Sequence, residues 1–197
     1  MIEDCWREQF DFLQVNPLVW AHDADSLMRS FDIISQQSER DLHERIKRAE
    51  EHLAGKTKNE LASYEHQLYP PEIGHHAMML GALAIEVLLK GIALSEPSIL
   101  KAVQSKDKKI IGRLWTHHLK DIAEMGGVPL SIWEIALCER LEFFLLWAGR
   151  YSTPKNHQKM IPFELPDGGV AIPNMYSSAD FGSIRRLAIR LRANFRE

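Results

Sequence analysis

The stretch Met78-Met-Leu-Gly-Ala-Leu-Ala-Ile-Glu-Val-Leu-Leu-Lys-Gly-Ile-Ala-Leu94 decides the fold of this chain. It is apolar on nearly every side of a helix, and its charged residues are Glu86 and Lys90. A helix of that kind must be covered on several sides by other elements. We therefore predict that a helix over residues 72–94 forms the centre of the fold.

The segment before this centre repeats with the period of a helix. Residues 22–53 place apolar side chains about one helical turn apart, with charges between them. Asp23 or Asp25 is the expected N-cap, and Gly55 is the expected stop. A polar connection over residues 56–71 then leads to the central helix.

Two short helices are predicted after the centre. They cover residues 97–104 and 116–125, and a basic loop at 106–109 separates them. Thr116 is the expected N-cap of the second helix, and Gly126-Gly127 end it.

A long helix and a final helix complete the pattern. Ser131 caps the long helix, which runs through Gly149. It is expected to end close to Arg150, because Pro154 disfavours helical geometry at Thr153. Its inward positions are Ile132, Ile135, Ala136, Leu141, Phe144, Leu145 and Ala148.

Residues 160–173 carry turn signals and form a loop with room for a short hairpin. The last helix starts at Asp180 and runs to the end of the chain. Its apolar face holds Ile184, Leu187, Ala188, Leu191 and Phe195. The expected fold is all-α, an antiparallel bundle of four to five main helices.

The composition is that of one soluble domain covering residues 1–197. The chain has 197 residues, of which 45% are apolar and 26% charged, with a formal net charge of −3. This charge gives no global attraction for nucleic acid, so any such binding must come from a local patch. Cys5 and Cys138 fit neither a metal spacing nor a disulfide framework, and Cys138 is expected as a buried free thiol. No cofactor is expected.

The N-terminus is acidic where a signal peptide is basic and then apolar. The central apolar segment, interrupted by Glu86 and Lys90, is too short to span a bilayer comfortably. We therefore expect a cytoplasmic protein with no membrane partner.

Glu86 and Lys90 stand four residues apart, in the order that favours an intrahelical ion pair. A structural pair at the rim of the core is the first interpretation. The alternative is that Glu86 orients a cationic group such as Arg150 or His118.

Two adjacent pairs of histidines, His75-His76 and His117-His118, raise the question of a metal site. Neighbouring residues on one helix point in directions far apart, so neither pair chelates an ion. No Cys, Asp or Glu stands at a ligand-like spacing to His117-His118. We predict no metal site.

The last helix carries a local excess of arginine on an acidic chain. The residues are Arg185, Arg186, Arg190, Arg192 and Arg196. One interpretation is a solvated face with cations at a helix C-terminus, where the helix dipole favours them. The other is a groove for a polyanion, because the planar guanidinium matches phosphate oxygens.

The segment Arg150-Tyr-Ser-Thr-Pro-Lys-Asn-His157 delivers an arginine to a helix terminus and a histidine to the loop beyond it. Arginine is a permanent cation, and histidine moves protons near neutral pH. Together they have the chemistry to cleave a phosphodiester without metal. The spacing also fits a helix-terminal cation and an unrelated surface histidine.

Three motifs, in this order along the chain, resemble the HEPN family of all-α nucleotide-binding and ribonuclease domains. They are Ala84-Ile-Glu-Val-Leu-Leu-Lys90, Thr116-His-His-Leu-Lys-Asp-Ile122 and Trp147-Ala-Gly-Arg-Tyr-Ser-Thr-Pro154. The resemblance covers residues 72–157. Residues 158–197 add a loop and the basic C-terminal helix.

The resemblance implies a metal-independent endoribonuclease that acts as a homodimer. Ribonucleases of this family use an arginine and a histidine with four to six residues between them, as Arg150 and His157 have. It also implies a toxin–antitoxin or phage-defence role, with RNA as substrate and an antitoxin as a further partner. The supporting residues are Glu86, Lys90, His118, Tyr151 and Asn156. The residues expected to hold RNA are Arg185, Arg186, Arg190 and Arg192.

The mechanism independently calls for a second chain. Attack by the 2′-hydroxyl of RNA needs a base, an acid for the leaving 5′-oxygen, and a cation at the phosphorus. A histidine with a pKa near ~6.5 can be base or acid, but each chain supplies one His157. Two alternatives stay open: a non-catalytic HEPN module that binds a nucleotide or protein, and a plain helical interaction domain.

Overall fold

The computed structural model describes residues 2–53, 71–151 and 153–195, and within them the chain is all-α with one small hairpin. The α-helices are α1 (Ile2–Val15), α2 (Pro17–Leu53), α3 (Gly74–Ser95), α4 (Pro97–Gln104), α5 (Lys108–Leu114), α6 (Leu119–Met125), α7 (Ile132–Phe143) and α8 (Ser178–Arg192). A π-helical turn (Phe144–Ala148) extends α7, and a 3-10 turn covers His157–Met160. Strands β1 (Phe163–Glu164) and β2 (Val170–Ala171) form the hairpin. The predicted stop at Gly55 and most of the predicted polar connection lie outside the described residues.

Helix α3 lies at the centre of the fold, as its apolar sequence predicts. It packs against α2, α6, α7 with its π turn, and α8. Close approach is possible because of glycine: a Cβ on Gly91 would lie 2.8 Å from the Cβ of Trp20 on α2. By length and composition α3 would also suit a membrane span, but 78% of its most apolar window is buried by the rest of this fold. Core helices of soluble proteins share that property.

Helices α2 and α7 each run antiparallel to α8, as predicted, and ion pairs show their directions. On α7 and α8, Glu134 meets Arg190 while Arg140 meets Asp180. On α2 and α8, Asp25 meets Arg192 while Asp32 meets Arg185. In each helix pair, later residues of one helix face earlier residues of the other.

The start of α2 differs from the prediction. The helix begins at Pro17, whose fixed backbone angle suits a first helical position. The side chain of Asn16 caps it, with Oδ1 accepting from the Leu18 N–H at 3.0 Å. Asp23 and Asp25 therefore lie inside the helix rather than at its N-cap.

Two helix starts after α3 also differ from the prediction. Asp107 caps α5, with Oδ1 accepting from the Lys109 N–H at 2.9 Å, so half of the predicted basic loop is helical. Helix α6 begins at Leu119 instead of Thr116. Glu142, which lies on α7, accepts the Leu119 N–H at 2.8 Å. A side chain distant in sequence thus satisfies a helix end that local reasoning assigned to Thr116.

Helix α7 has the predicted cap at Ser131, whose side chain accepts from the Glu134 N–H in a capping box. Two details were wrong. Ile132 is 63% exposed instead of inward. The predicted continuous helix also changes to a π turn after Phe143.

Helix α8 begins at Ser178, two residues before the predicted start at Asp180, and it ends at Arg192 instead of at the end of the chain. Ser177 is the N-cap, and the Asp180 carboxylate accepts the Ser177 N–H at 2.7 Å. The predicted apolar face is buried against the core. The short hairpin before α8 pairs Phe163 with Ala171, and its turn contains Gly168 at φ +80°, a conformation that favours glycine.

Candidate functional site

Arg150 follows directly on a π-helical turn that the sequence did not predict. The Gly149 N–H donates to the carbonyl of Phe144, five residues back, at 3.3 Å. Turns of this width occur frequently at functional sites. Gly149 also permits close packing, since a Cβ there would lie 2.5 Å from the Cβ of Met79.

The Arg150 side chain is exposed and folds back on the end of this turn. Its Nη2 donates to the carbonyl oxygens of Leu145 and Leu146. Its Cζ lies 5.9 Å from the ring centre of Tyr151. A cation at helix C-terminal carbonyls is favourable, which accounts for this pose without a ligand. Nε and Nη1 donate to no acceptor within the described residues, so part of the guanidinium fork is available.

An open cleft of about 420 Å³ adjoins Arg150. Its lining residues are Glu72, His75, His76, Trp147, Ala148, Gly149, Arg150, Tyr151 and Asn174. The cleft therefore joins the start of α3, the end of the π turn and the segment before α8. It brings a guanidinium and two imidazoles to one opening.

The two histidines of the cleft have different surroundings. His75 is half-buried; its Nε2 lies 2.9 Å from the carbonyl oxygen of Asn174, and its ring meets Tyr176 edge-on at 5.2 Å. Because a carbonyl accepts only, Nε2 of His75 carries a proton, and Nδ1 of the neutral ring is an acceptor. His76 is exposed.

Tyr176 supports His75 from behind. Its hydroxyl donates to Glu72, and burial together with this carboxylate raises the pKa of Tyr176 to about 12. The phenol therefore stays protonated near neutral pH. Trp147 contributes a buried Nε1–H that has no hydrogen-bond acceptor among the described residues.

His157 does not line this cleft. It opens the 3-10 turn, which Asn156 caps by accepting the Gln158 N–H at 2.9 Å. The His157 side chain is exposed and makes no hydrogen bond, ion pair or ring contact with the described part of the chain. Arg150 and His157 are thus not in contact within one chain.

Glu86 and Lys90 form the predicted ion pair, with Nζ and Oε1 2.5 Å apart and each side chain 7% exposed. The other oxygen of Glu86 lies 2.8 Å from Nδ1 of His117. The suggestion that Glu86 orients Arg150 or His118 is therefore wrong, because the carboxylate of Glu86 contacts Lys90 and His117 instead. Lys90 also lies over the ring of Trp115, 5.2 Å from its centre.

His118 contacts a different carboxylate from the one that His117 contacts. Its Nδ1 lies 3.3 Å from Oε2 of Glu142, the carboxylate that also caps α6. Burial raises the pKa of Glu142, although the bonds from Leu119 and His118 oppose that shift. His118 therefore helps to fix α6 against α7, and it does not line the cleft of Arg150.

The arginines of α8 are mostly paired with acids of other helices. Arg185 binds Asp32 at 2.7 Å and Ser35 at 2.6 Å. Arg190 pairs with Glu134, and Arg192 pairs with Asp25. These contacts favour the structural interpretation for the three residues. Arg186 differs: it is exposed, and its hydrogen bond goes to Ser183, with no acidic partner among the described residues.

Sequence reasoning missed the placing of His75 and His76 beside Arg150, and it missed the ion pair of Arg140 with Asp180 at 2.6 Å. Neither has a local signal, since each joins residues at least 40 positions apart.

Across residues 2–53, 71–151 and 153–195, no three His, Cys, Asp or Glu side chains come together as a metal site. Comparison with family models, curated proteins and solved structures finds no significant match to this chain.

Proposed function

We propose that this protein is a metal-independent endoribonuclease that acts as a homodimer. The observation that carries the proposal is the open cleft beside Arg150, where part of the guanidinium fork has no acceptor among the described residues. A toxin–antitoxin or phage-defence role, with an antitoxin as a further partner, belongs to the same proposal.

Arg150 is suited to stabilise the charge of the phosphorane. Its Nη2 is fixed to backbone carbonyls of the π turn, which orients the guanidinium before a substrate arrives. Donors that are oriented in advance stabilise developing charge with little reorganisation. The remaining donors of the fork then face the phosphoryl oxygens.

His157 supplies the proton transfer in this proposal. It stands in an exposed turn, and its side chain makes no hydrogen bond or ion pair with the described residues, so it is available to a second copy. In the dimer, one His157 takes the proton of the 2′-hydroxyl and the other donates to the leaving 5′-oxygen. The products are a 2′,3′-cyclic phosphate and a 5′-hydroxyl.

The test is cleavage of labelled single-stranded RNA in excess chelator. Arg150→Ala and His157→Ala are each expected to lower the rate at least ~100-fold, the usual contribution of such a group. A 2′-deoxy substrate of the same sequence is expected to survive, because it lacks the attacking hydroxyl.

Matched controls separate a catalytic role from loss of charge alone. Arg113→Ala removes an exposed arginine of α5, and His22→Ala removes an exposed histidine of α2. Both are expected to cleave like the wild type. If Arg150→Ala and His157→Ala also cleave like the wild type while circular dichroism shows an intact fold, the ribonuclease assignment is wrong.

A second candidate is a non-catalytic module that binds a nucleotide in the same cleft. The anchored pose of Arg150 and the position of His157 off the cleft favour it. It predicts that a nucleoside monophosphate raises the melting temperature without turnover, and that Arg150→Ala abolishes the rise.

A further inference from the structure

A second groove lies between α7 and α8, with a volume of about 460 Å³. It shares no lining residue with the cleft of Arg150. Its lining includes Trp133, Glu134 and Arg140 from α7, Arg186 and Arg190 from α8, and Leu165 from the hairpin. Two helices and a loop thus form its walls.

The charges along this groove do not cancel. Arg140 donates twice to Asp180, at 2.6 and 2.7 Å, and Arg190 donates to Glu134 at 2.8 Å. Each of these pairs is neutral as a whole. Arg186 adds a cation that faces no acid within the described residues, on a chain whose formal net charge is −3.

The groove also exposes an aromatic ring. Trp133 is 55% exposed although it is a large apolar residue on a helix that packs into the core. A wide aromatic face beside a free cation is the combination by which proteins hold single-stranded nucleic acid, with a base on the ring and a phosphate on the cation.

We propose that this groove binds single-stranded nucleic acid with little sequence preference, by stacking a base on Trp133 and holding a phosphate at Arg186. The site goes beyond the cleft of the proposed ribonuclease and involves no chemistry. It narrows the basic surface of α8 to Arg186, because Arg185, Arg190 and Arg192 each pair with an acid of another helix.

The experiment measures binding of a fluorescently labelled oligothymidylate by anisotropy, using the full chain. DNA lacks the 2′-hydroxyl, so binding is separated from cleavage. Trp133→Leu keeps an apolar side chain and is expected to raise Kd at least about 5-fold, as the loss of one stacked base does. Arg186→Gln is expected to raise Kd and to lower the slope of log Kd against log salt by about 0.7.

The control is Arg113→Gln, which removes one exposed arginine on α5. It is expected to bind like the wild type. Wild-type affinity in both groove variants, or an equal loss in Arg113→Gln, overturns the proposal. So does a change in the sedimentation mass of the groove variants with no change in Kd, which would make the groove a contact between copies.

The outcome is independent of the ribonuclease proposal. Binding that depends on Trp133 and Arg186 in a protein that cleaves no RNA upholds the groove and removes the nuclease. RNA cleavage by a protein whose groove variants bind normally upholds the nuclease and removes the groove. Both substituted side chains are exposed, and circular dichroism checks that the fold persists.

Discussion

Nδ1 of His117 lies 2.8 Å from Oε2 of Glu86, while Oε1 of the same carboxylate holds Lys90. Glu86 is on the central helix, and His117 is in the segment that leads into α6. One buried carboxylate therefore fixes a surface segment to the core. The contact has a structural role, and it explains why a charged residue stands in the most apolar stretch of the chain.

Glu86→Ala is expected to lower the free energy of unfolding by about 3–5 kcal/mol, because it leaves the Lys90 ammonium buried without an anion. Urea denaturation monitored by circular dichroism measures the loss. The matched control is Glu44→Ala, which breaks an exposed pair with Arg48 at the same spacing. It is expected to cost roughly 0.5 kcal/mol or less.

The double variant Glu86→Leu with Lys90→Met tests the cause. Replacing both charges by apolar groups is expected to recover most of the stability lost in Glu86→Ala. Equal losses in Glu86→Ala and Glu44→Ala would contradict the buried position of this pair.

The ionised side chain of Glu134 stabilises the folded protein, and this stabilisation changes with pH in the acidic range. Burial opposes its ionisation, but hydrogen bonds from Ser131 and Arg190 outweigh burial and hold the pKa of Glu134 below its ordinary value of 4.5. The unfolded state then binds more protons than the folded state as pH falls from that value. The stabilisation is therefore complete above pH 4.5 and is lost as pH falls through the folded pKa.

The difference in unfolding free energy between wild type and Glu134→Gln measures this term. It is expected to be largest above about pH 5 and to shrink toward about pH 3. Chemical denaturation of both proteins across that range gives the curve. A difference that grows on acidification would show that the Glu134 contacts do not favour the carboxylate.

The two cysteines are expected to react at very different rates. Cys138 is buried, and burial raises its pKa to about 12, so its reactive thiolate is scarce at pH 8. Cys5 is exposed. A thiol-specific reagent is expected to label one site quickly in the native protein, and Cys5→Ser to react only after denaturation. Fast labelling of native Cys5→Ser would mean that Cys138 is accessible.

The proposed ribonuclease takes its acid and base from two chains. A dimer of one inactive chain and one active chain is therefore expected to be inactive. After subunit exchange with a ten-fold excess of His157→Ala, wild-type cleavage is expected to fall to roughly a tenth, since few wild-type dimers remain. The same excess of His22→Ala is expected to add activity. Unchanged cleavage in the first mixture would place the proton transfer within one chain, where His75 and His76 adjoin Arg150.

The site was less predictable than the fold, because its contacts join residues that are far apart in the sequence. The sequence pointed to Arg150 because a proline shortly after a helical pattern marks the helix end. It did not show the π turn before Arg150, where Gly149 lies close to Met79. Nor did it show which acids the α8 arginines meet, since Asp25, Asp32 and Glu134 lie on other helices.

By itself, the sequence determined the all-α class, the central position of α3, the cap at Ser131 and the buried thiol of Cys138. These follow from hydrophobic periodicity and from contacts between residues a few positions apart. Tertiary structure alone decided that Glu86 faces His117, that Glu142 caps α6 and that His75 and His76 share a cleft with Arg150. Such pairings depend on how the helices pack and rotate against each other, and no local pattern records that.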